Sequence, residues 1–66
     1  MARPELYTID FETVYGKIID CLKDGLSFNE TMNGIAETYM LFDDEFESLY
    51  DYMEEDFEVN FILSNR

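Results

Sequence analysis

Residues 10–30 have the sequence DFETVYGKIIDCLKDGLSFNE, and this stretch predicts how the fold begins. Asp10 or Thr8 is placed to cap a first helix. The apolar residues that follow recur at the i, i+3, i+4, i+7 spacing of one helical stripe: Phe11, Val14, Tyr15, Ile18 and Leu22. Gly25 stands where the end of a helix favours a residue that adopts positive φ. The stretch therefore predicts an amphipathic helix that ends just before Gly25.

Two more helices follow from local signals. Ser27 and Glu30 form a capping-box pattern at the start of a second helix. A third helix begins near Asp43 or Asp44, because acids in a first turn suit the positive end of the helix dipole. Its apolar stripe consists of Phe46, Leu49, Tyr50, Met53 and Phe57. We predict an all-α fold, a small three-helix bundle with helices over about residues 11–24, 28–39 and 44–56.

The tail, residues 57–63, has two interpretations. Its apolar residues Phe57, Val59, Phe61 and Leu63 alternate as they would in a strand. The same stretch is also compatible with a short helix, and periodicity does not decide over so few residues. The alternative to the bundle is an α+β fold, in which residues 6–9 and 58–63 form a two-stranded sheet.

Length and charge limit the functions that the chain can have. Its 66 residues predict one domain, residues 1–66. Sixteen acids and four bases give a net charge of −12, which argues against direct binding to nucleic acid or to an anionic membrane, since both require Lys and Arg. The charge favours a basic protein surface as partner. No signal peptide and no apolar run of about 20 residues is evident, so we expect a cytoplasmic protein, in a host cytoplasm if it is phage-encoded.

Several residues could suggest catalysis or metal binding. Cys21 is the only cysteine and the chain has no histidine, so neither an internal disulfide nor an activated thiol is expected. Asp10 and Glu12 match the Asp-x-Glu motif of proofreading 3′–5′ exonucleases, but such enzymes need further carboxylates on a larger scaffold. A calcium loop that started at Asp43 would need glycine where Ser48 stands. We predict that the chain is not an enzyme and holds no cofactor or metal.

The acidic stretch in the C-terminal half is the strongest functional signal. Between Asp43 and Glu58 there are nine acids and no base: Asp43, Asp44, Glu45, Glu47, Asp51, Glu54, Glu55, Asp56 and Glu58. If residues 43–58 formed one helix, they would carry about one charge per 2.5 Å, against one per ~1.7 Å on duplex DNA. Such a run is either a solvated face of an acidic protein or a docking face for a basic groove.

A second candidate surface is the apolar tail, together with an aromatic side chain on the acidic helix. We expect Tyr52 to be an exposed aromatic anchor. Phe61, Ile62 and Leu63 either form a patch rimmed by acids or complete the core, whereas Leu41 and Phe42 are expected to complete the core. The predicted partner-binding residues are Asp44, Glu47, Asp51, Tyr52, Glu54, Glu55, Glu58, Phe61, Ile62 and Leu63.

Residues 25–50 resemble the helix-turn-helix segment of late-transcription co-activators from T-even-type phages. The resemblance is carried by GLSFNET, residues 25–31, by Ala36-Glu37 and by Phe46. It implies binding to the flap of bacterial RNA polymerase. The family also binds the sliding clamp through a hydrophobic terminus, but here Phe61-Ile62-Leu63 is followed by Ser-Asn-Arg, which departs from that pattern.

Three functional hypotheses follow. The first is a phage-type regulator or inhibitor that docks on a host protein such as RNA polymerase. The second is a DNA mimic that occupies the nucleic-acid site of a DNA-binding or DNA-processing protein. The third is a structural module in which the apolar tail mediates self-association, for example as a homodimer.

Overall fold

The computed structural model describes residues 3–66, which form four helices: α1 (Phe11–Lys23), α2 (Phe28–Tyr39), α3 (Asp43–Glu54) and α4 (Phe57–Ser64). The prediction of an all-α fold is confirmed, while the predicted number of helices, three, is wrong. Residues 3–66 contain no strand, so the alternative two-stranded sheet does not form. Of the two interpretations of the tail, the short helix is confirmed.

The first two helices begin and end where local chemistry predicts. The Asp10 carboxylate accepts a hydrogen bond from the Thr13 amide at 3.0 Å and caps α1. Gly25 has a φ of 99°, the left-handed conformation that glycine adopts without a steric penalty. The Ser27 hydroxyl accepts from the Glu30 amide while the Glu30 carboxylate accepts from the Ser27 amide, which completes the capping box of α2.

The third helix, predicted over about residues 44–56, ends two residues early, and a fourth helix starts directly after it. α3 ends at Glu54, and Asp56 takes the extended conformation of an N-cap, with its carboxylate accepting from the Val59 amide at 3.2 Å. The chain therefore turns at Glu55 and Asp56 and starts α4. This local cap explains why residues 43–58 are not the single helix for which the charge density was calculated.

The core lies where the four helices meet. α1 and α3 each pack against α2 and α4, so each helix has two neighbours. The buried apolar residues come from all four: Val14, Ile18, Ile19, Leu22, Met32, Ile35, Leu49, Met53 and Val59. Leu41 is half-buried against this core, as predicted, but Phe42 is 60% exposed. Phe42 is the N-cap residue of α3, and its ring packs on Tyr7 at the surface instead of entering the core.

The segment before α1 is held by one buried carboxylate. Glu45 is fully buried and accepts hydrogen bonds from the Tyr7 and Thr8 amides, both at 2.9 Å, and from the Thr8 hydroxyl at 2.6 Å. It also accepts at 3.1 Å from the amide of Phe42, the N-cap residue of its own helix. Glu45 thus fastens the N-terminal segment to the start of α3.

Candidate functional site

Most of the acids in the C-terminal half gather on one side of α3. At about 100° per residue, six of them fall within an arc of about 120° around the helix axis. All six are exposed, and we call them the acidic arc: Asp43, Asp44, Glu47, Asp51, Glu54 and Glu55. α3 is about 18 Å long at ~1.5 Å per residue, so the arc carries about one carboxylate per 3 Å.

The acidic arc is not neutralised by the bases of the described chain. Within residues 3–66 one ion pair forms, between Arg3 and Glu12 at 3.8 Å. Arg66 instead donates to the backbone oxygens of Leu22 and Leu26. Like charges at i, i+4 repel one another by about 0.2–0.5 kcal/mol per pair, so the arc holds an electrostatic strain that a basic partner would relieve.

Two acids of the predicted docking face have internal roles, which corrects the sequence-based picture of nine equivalent carboxylates. Glu45 is buried under the N-terminal segment. Burial alone raises the pKa of its carboxyl, but the hydrogen bonds from Thr8, Phe42 and Tyr7 outweigh it and lower the pKa to about 2. Asp56 is half-buried and accepts from the Tyr15 hydroxyl at 2.8 Å as well as capping α4. Both carboxylates therefore accept hydrogen bonds from within the chain.

Asp44 belongs to the arc but also has an internal contact. The Tyr7 hydroxyl donates to its carboxylate at 2.7 Å. This hydrogen bond is the main reason that the pKa of the Tyr7 phenol rises to about 12, so the phenol stays protonated at neutral pH and remains a donor. The Asp44 carboxylate therefore already accepts a hydrogen bond within the chain, whereas Asp43, Glu47 and Asp51 make no side-chain hydrogen bond within residues 3–66.

Two aromatic rings border the acidic arc along one edge. Phe46 and Tyr50 lie with their ring centroids 5.8 Å apart and line an open groove of about 380 Å³, together with Asp43, Glu47 and Asp51. The Tyr50 hydroxyl donates to Asn29 at 2.7 Å, which fixes the ring. Both residues were predicted as core, but they are only half-buried. Their i, i+4 spacing is the same as that of core residues, so it did not indicate the groove.

The first turn of α4 presents the most exposed apolar ring of the described chain. Phe57 is 81% exposed and stacks on Phe61, which is 56% exposed, with centroids 6.3 Å apart. Ile62 and Leu63, also predicted as binding residues, are half-buried and pack against the core. Glu58 is exposed on α4 rather than on the acidic helix. Of the three residues predicted for the apolar patch, Phe61 is the one that is exposed. Phe57 is also exposed but was not among the predicted binding residues.

Tyr52 is not the exposed anchor that its position between stripes suggested. It is half-buried, and the Phe11 ring meets it edge-on, with centroids 5.2 Å apart and an interplanar angle of 85°. The contact joins the start of α1 to the last turn of α3, two segments that are far apart in the sequence. An aromatic partner on another helix explains why Tyr52 is covered on one side.

The residues considered for catalysis are dispersed. Asp10 is used as a helix cap, Glu12 is exposed and pairs with Arg3, and Cys21 is half-buried on α1. Residues 3–66 contain no group of three or more His, Cys, Asp or Glu side chains arranged to hold a metal ion. Nor does any helix in this range combine the length and hydropathy needed to cross a bilayer.

Comparison with known proteins adds no assignment. No protein-family model, no curated protein and no solved structure matches this chain. The resemblance of residues 25–50 to phage late-transcription co-activators stays a prediction, and the function has to be argued from the surface itself.

Proposed function

We propose that this chain is a non-catalytic binding module whose acidic arc docks on a basic surface of a partner protein. In this proposal it acts as a phage-type regulator or inhibitor of a host protein such as RNA polymerase. One observation carries the proposal: six exposed carboxylates share one side of α3 and form no ion pair within residues 3–66. Such a single-sign field accelerates encounter with a basic surface and disfavours acidic competitors.

The edges of the acidic arc would supply specificity beyond charge. The groove beside Phe46 and Tyr50 combines aromatic faces with the carboxylates of Asp43, Glu47 and Asp51. That combination suits arginine better than lysine, because a guanidinium stacks on aromatic rings and pairs with carboxylates through a planar fork. We therefore expect the partner surface to be rich in arginine.

The proposal is tested by neutralising the arc without changing side-chain shape. The variant Asp43→Asn/Glu47→Gln/Asp51→Asn removes three exposed charges that make no hydrogen bond within residues 3–66. Exposed charge pairs contribute about 0.2–1 kcal/mol each, so affinity for the partner should fall about tenfold at low salt. The partner is first isolated from bacterial extract on the immobilised wild type, and affinity is then measured by calorimetry.

A matched control separates the arc from net charge. The variant Glu5→Gln/Asp20→Asn/Glu37→Gln removes the same number of charges, three, from exposed positions on other segments. It should keep the wild-type affinity. Equal losses in both variants would show that only overall charge matters, and an unchanged affinity of the arc variant would overturn the proposal. Circular dichroism confirms that both variants remain helical.

The apolar pair on α4 gives a second prediction. Phe57→Ser/Phe61→Ser should change the free energy of unfolding by about 0.5 kcal/mol or less per site, because both rings are exposed. If the pair anchors the partner, binding should weaken by about tenfold or more. Met40→Asn is the control, since Met40 is 80% exposed at the α2–α3 connector and asparagine tolerates its left-handed backbone. Equal affinities for both variants would exclude α4 from the interface.

DNA mimicry and self-association are distinguished by two further measurements. The break after Glu54 lowers the carboxylate density on α3 to about one per 3 Å, further from the ~1.7 Å of duplex DNA than the sequence suggested. Displacement of the chain from its partner by DNA would favour mimicry over simple docking. A net charge of −12 opposes close approach of two copies, and light scattering over a concentration series tests for a dimer.

A further inference from the structure

A second site lies away from the groove of the acidic arc, where α1 approaches the α3–α4 junction. Three aromatic rings, those of Phe11, Tyr15 and Tyr52, line a pocket of about 320 Å³. The Phe11 centroid lies 5.5 Å from that of Tyr15 and 5.2 Å from that of Tyr52. The Arg3 side chain and the carboxylates of Glu12 and Asp56 complete the wall. Aromatic faces with adjacent carboxylates are the chemistry that binds organic cations.

The chain places one of its own cations at this pocket. The guanidinium carbon of Arg3 lies 5.2 Å from the centroid of the Phe11 ring, within the range of a cation–π interaction. Its Nη1 is 3.8 Å from the Glu12 carboxylate. Arg3 lines the pocket, and because both side chains are largely exposed, neither is locked in place. The contact shows that the Phe11 ring and the neighbouring Glu12 carboxylate accept a guanidinium group.

Asp56 supplies a further acceptor at the same place. Its Oδ2 receives both the Tyr15 hydroxyl and the Val59 amide, and within the described residues no hydrogen bond reaches Oδ1. Burial and the bond to Asp56 raise the pKa of the Tyr15 phenol to about 12, so the phenol remains a donor that holds the carboxylate in position. A half-buried carboxylate oxygen is therefore available to a donor that enters between the rings.

We propose that this pocket is a guanidinium-binding site, which receives an arginine side chain of the basic partner on the Phe11 face that Arg3 covers in the free protein. Arg3 acts as an intramolecular competitor that must leave before the partner's arginine enters. A guanidinium fits better than an ammonium because it is planar, weakly hydrated and able to stack while donating to carboxylates. The source of the arginine rests on the proposed function, but the cation chemistry of the pocket does not.

The pocket is tested without any partner by titrating N-acetyl-arginine amide into the ¹⁵N-labelled protein. The uncharged isostere N-acetyl-citrulline amide is the reference ligand. Arginine amide should shift the amide signals of Phe11, Tyr15 and Tyr52, and citrulline amide should not. Equal responses to the two ligands, or arginine shifts confined to the acidic arc, would overturn the proposal.

Two variants and one control test the roles of Arg3 and Phe11 in the pocket. Arg3→Ala should bind arginine amide about two- to fivefold more tightly than the wild type, since an exposed cation–π contact of this size no longer competes. Lys23→Ala makes the same change in net charge at the far end of α1 and should bind like the wild type. Phe11→Leu keeps an apolar side chain but removes the aromatic face, and it should lose binding while circular dichroism reports a folded chain.

The results separate this site from the acidic arc. If Arg3→Ala binds no more tightly than Lys23→Ala, Arg3 is not a competitor and the proposal fails. Retained binding in Phe11→Leu would also contradict it. The arc variant Asp43→Asn/Glu47→Gln/Asp51→Asn should still bind arginine amide at the pocket, so the docking function can fail while the pocket stands.

Discussion

Replacing Glu45 with glutamine should lower the free energy of unfolding by about 3 kcal/mol, the largest effect that we expect from a single substitution. The carboxylate accepts four hydrogen bonds, from the amides of Tyr7, Thr8 and Phe42 and from the Thr8 hydroxyl. Glutamine keeps one acceptor oxygen and turns an NH₂ group, itself a donor, towards the amide and hydroxyl donors that bind the carboxylate. A core in a domain this small supplies about 3–5 kcal/mol, so much of the variant should be unfolded.

Urea unfolding followed by circular dichroism measures this loss. Glu47→Gln is the matched control, because it makes the same chemical change two residues later in α3 at an exposed position. The control should remain within about 0.5 kcal/mol of the wild type. If both variants unfolded at the same urea concentration, Glu45 would not hold the N-terminal segment in solution.

The second large effect is the pH dependence of the stabilisation that the Glu45 carboxylate gives the folded protein. Hydrogen bonds lower the pKa of Glu45 to about 2 in the folded protein, against 4.5 for an ordinary glutamate. Because the folded pKa is the lower one, the stabilisation is complete above pH 4.5 and is lost as the pH falls towards 2. The difference in unfolding free energy between wild type and Glu45→Gln should therefore be large near neutral pH and shrink below pH 4.5.

Measuring the difference between the two proteins isolates Glu45 from the other carboxylates. Protonation of the acidic arc relieves repulsion as the pH falls, and it does so equally in both proteins. Urea titrations at a series of pH values between neutrality and about pH 2 give the two curves. A difference that stays constant across this range would show that the Glu45 carboxylate is not stabilised by its hydrogen bonds.

The boundaries of α1 and α2 could be predicted because their determinants are local. Asp10 caps its own helix three residues away, the capping box joins Ser27 to Glu30, and Gly25 needs only its own backbone freedom. The start of α4 had a comparable local signal in Asp56. That signal was overlooked, because Asp56 was counted among nine acids whose density suggested one uniform helix face.

The candidate site was only partly predictable. Charge density identified α3 as the acidic element, and the positions of Glu47 and Asp51 on an exposed face agree with that prediction. Sequence periodicity could not show that Phe46 and Tyr50 line a groove rather than the core, since half-buried and fully buried rings have the same spacing. It also assigned Tyr52 to the surface, because its partner Phe11 lies on another helix.

The sequence by itself determined the all-α class, the first two helices and the excess of carboxylates on α3, because helix periodicity, caps and charge depend on residues within a few positions of one another. Tertiary structure alone decided which groups bind the buried Glu45 carboxylate. Helix periodicity places Glu45 on the stripe of the buried Leu49 and Met53, but only the tertiary structure shows that the backbone of residues 7–8 folds back onto it. The pocket of Phe11, Tyr15 and Tyr52 likewise exists only because packing brings the Phe11 ring at the start of α1 beside Tyr52 near the end of α3.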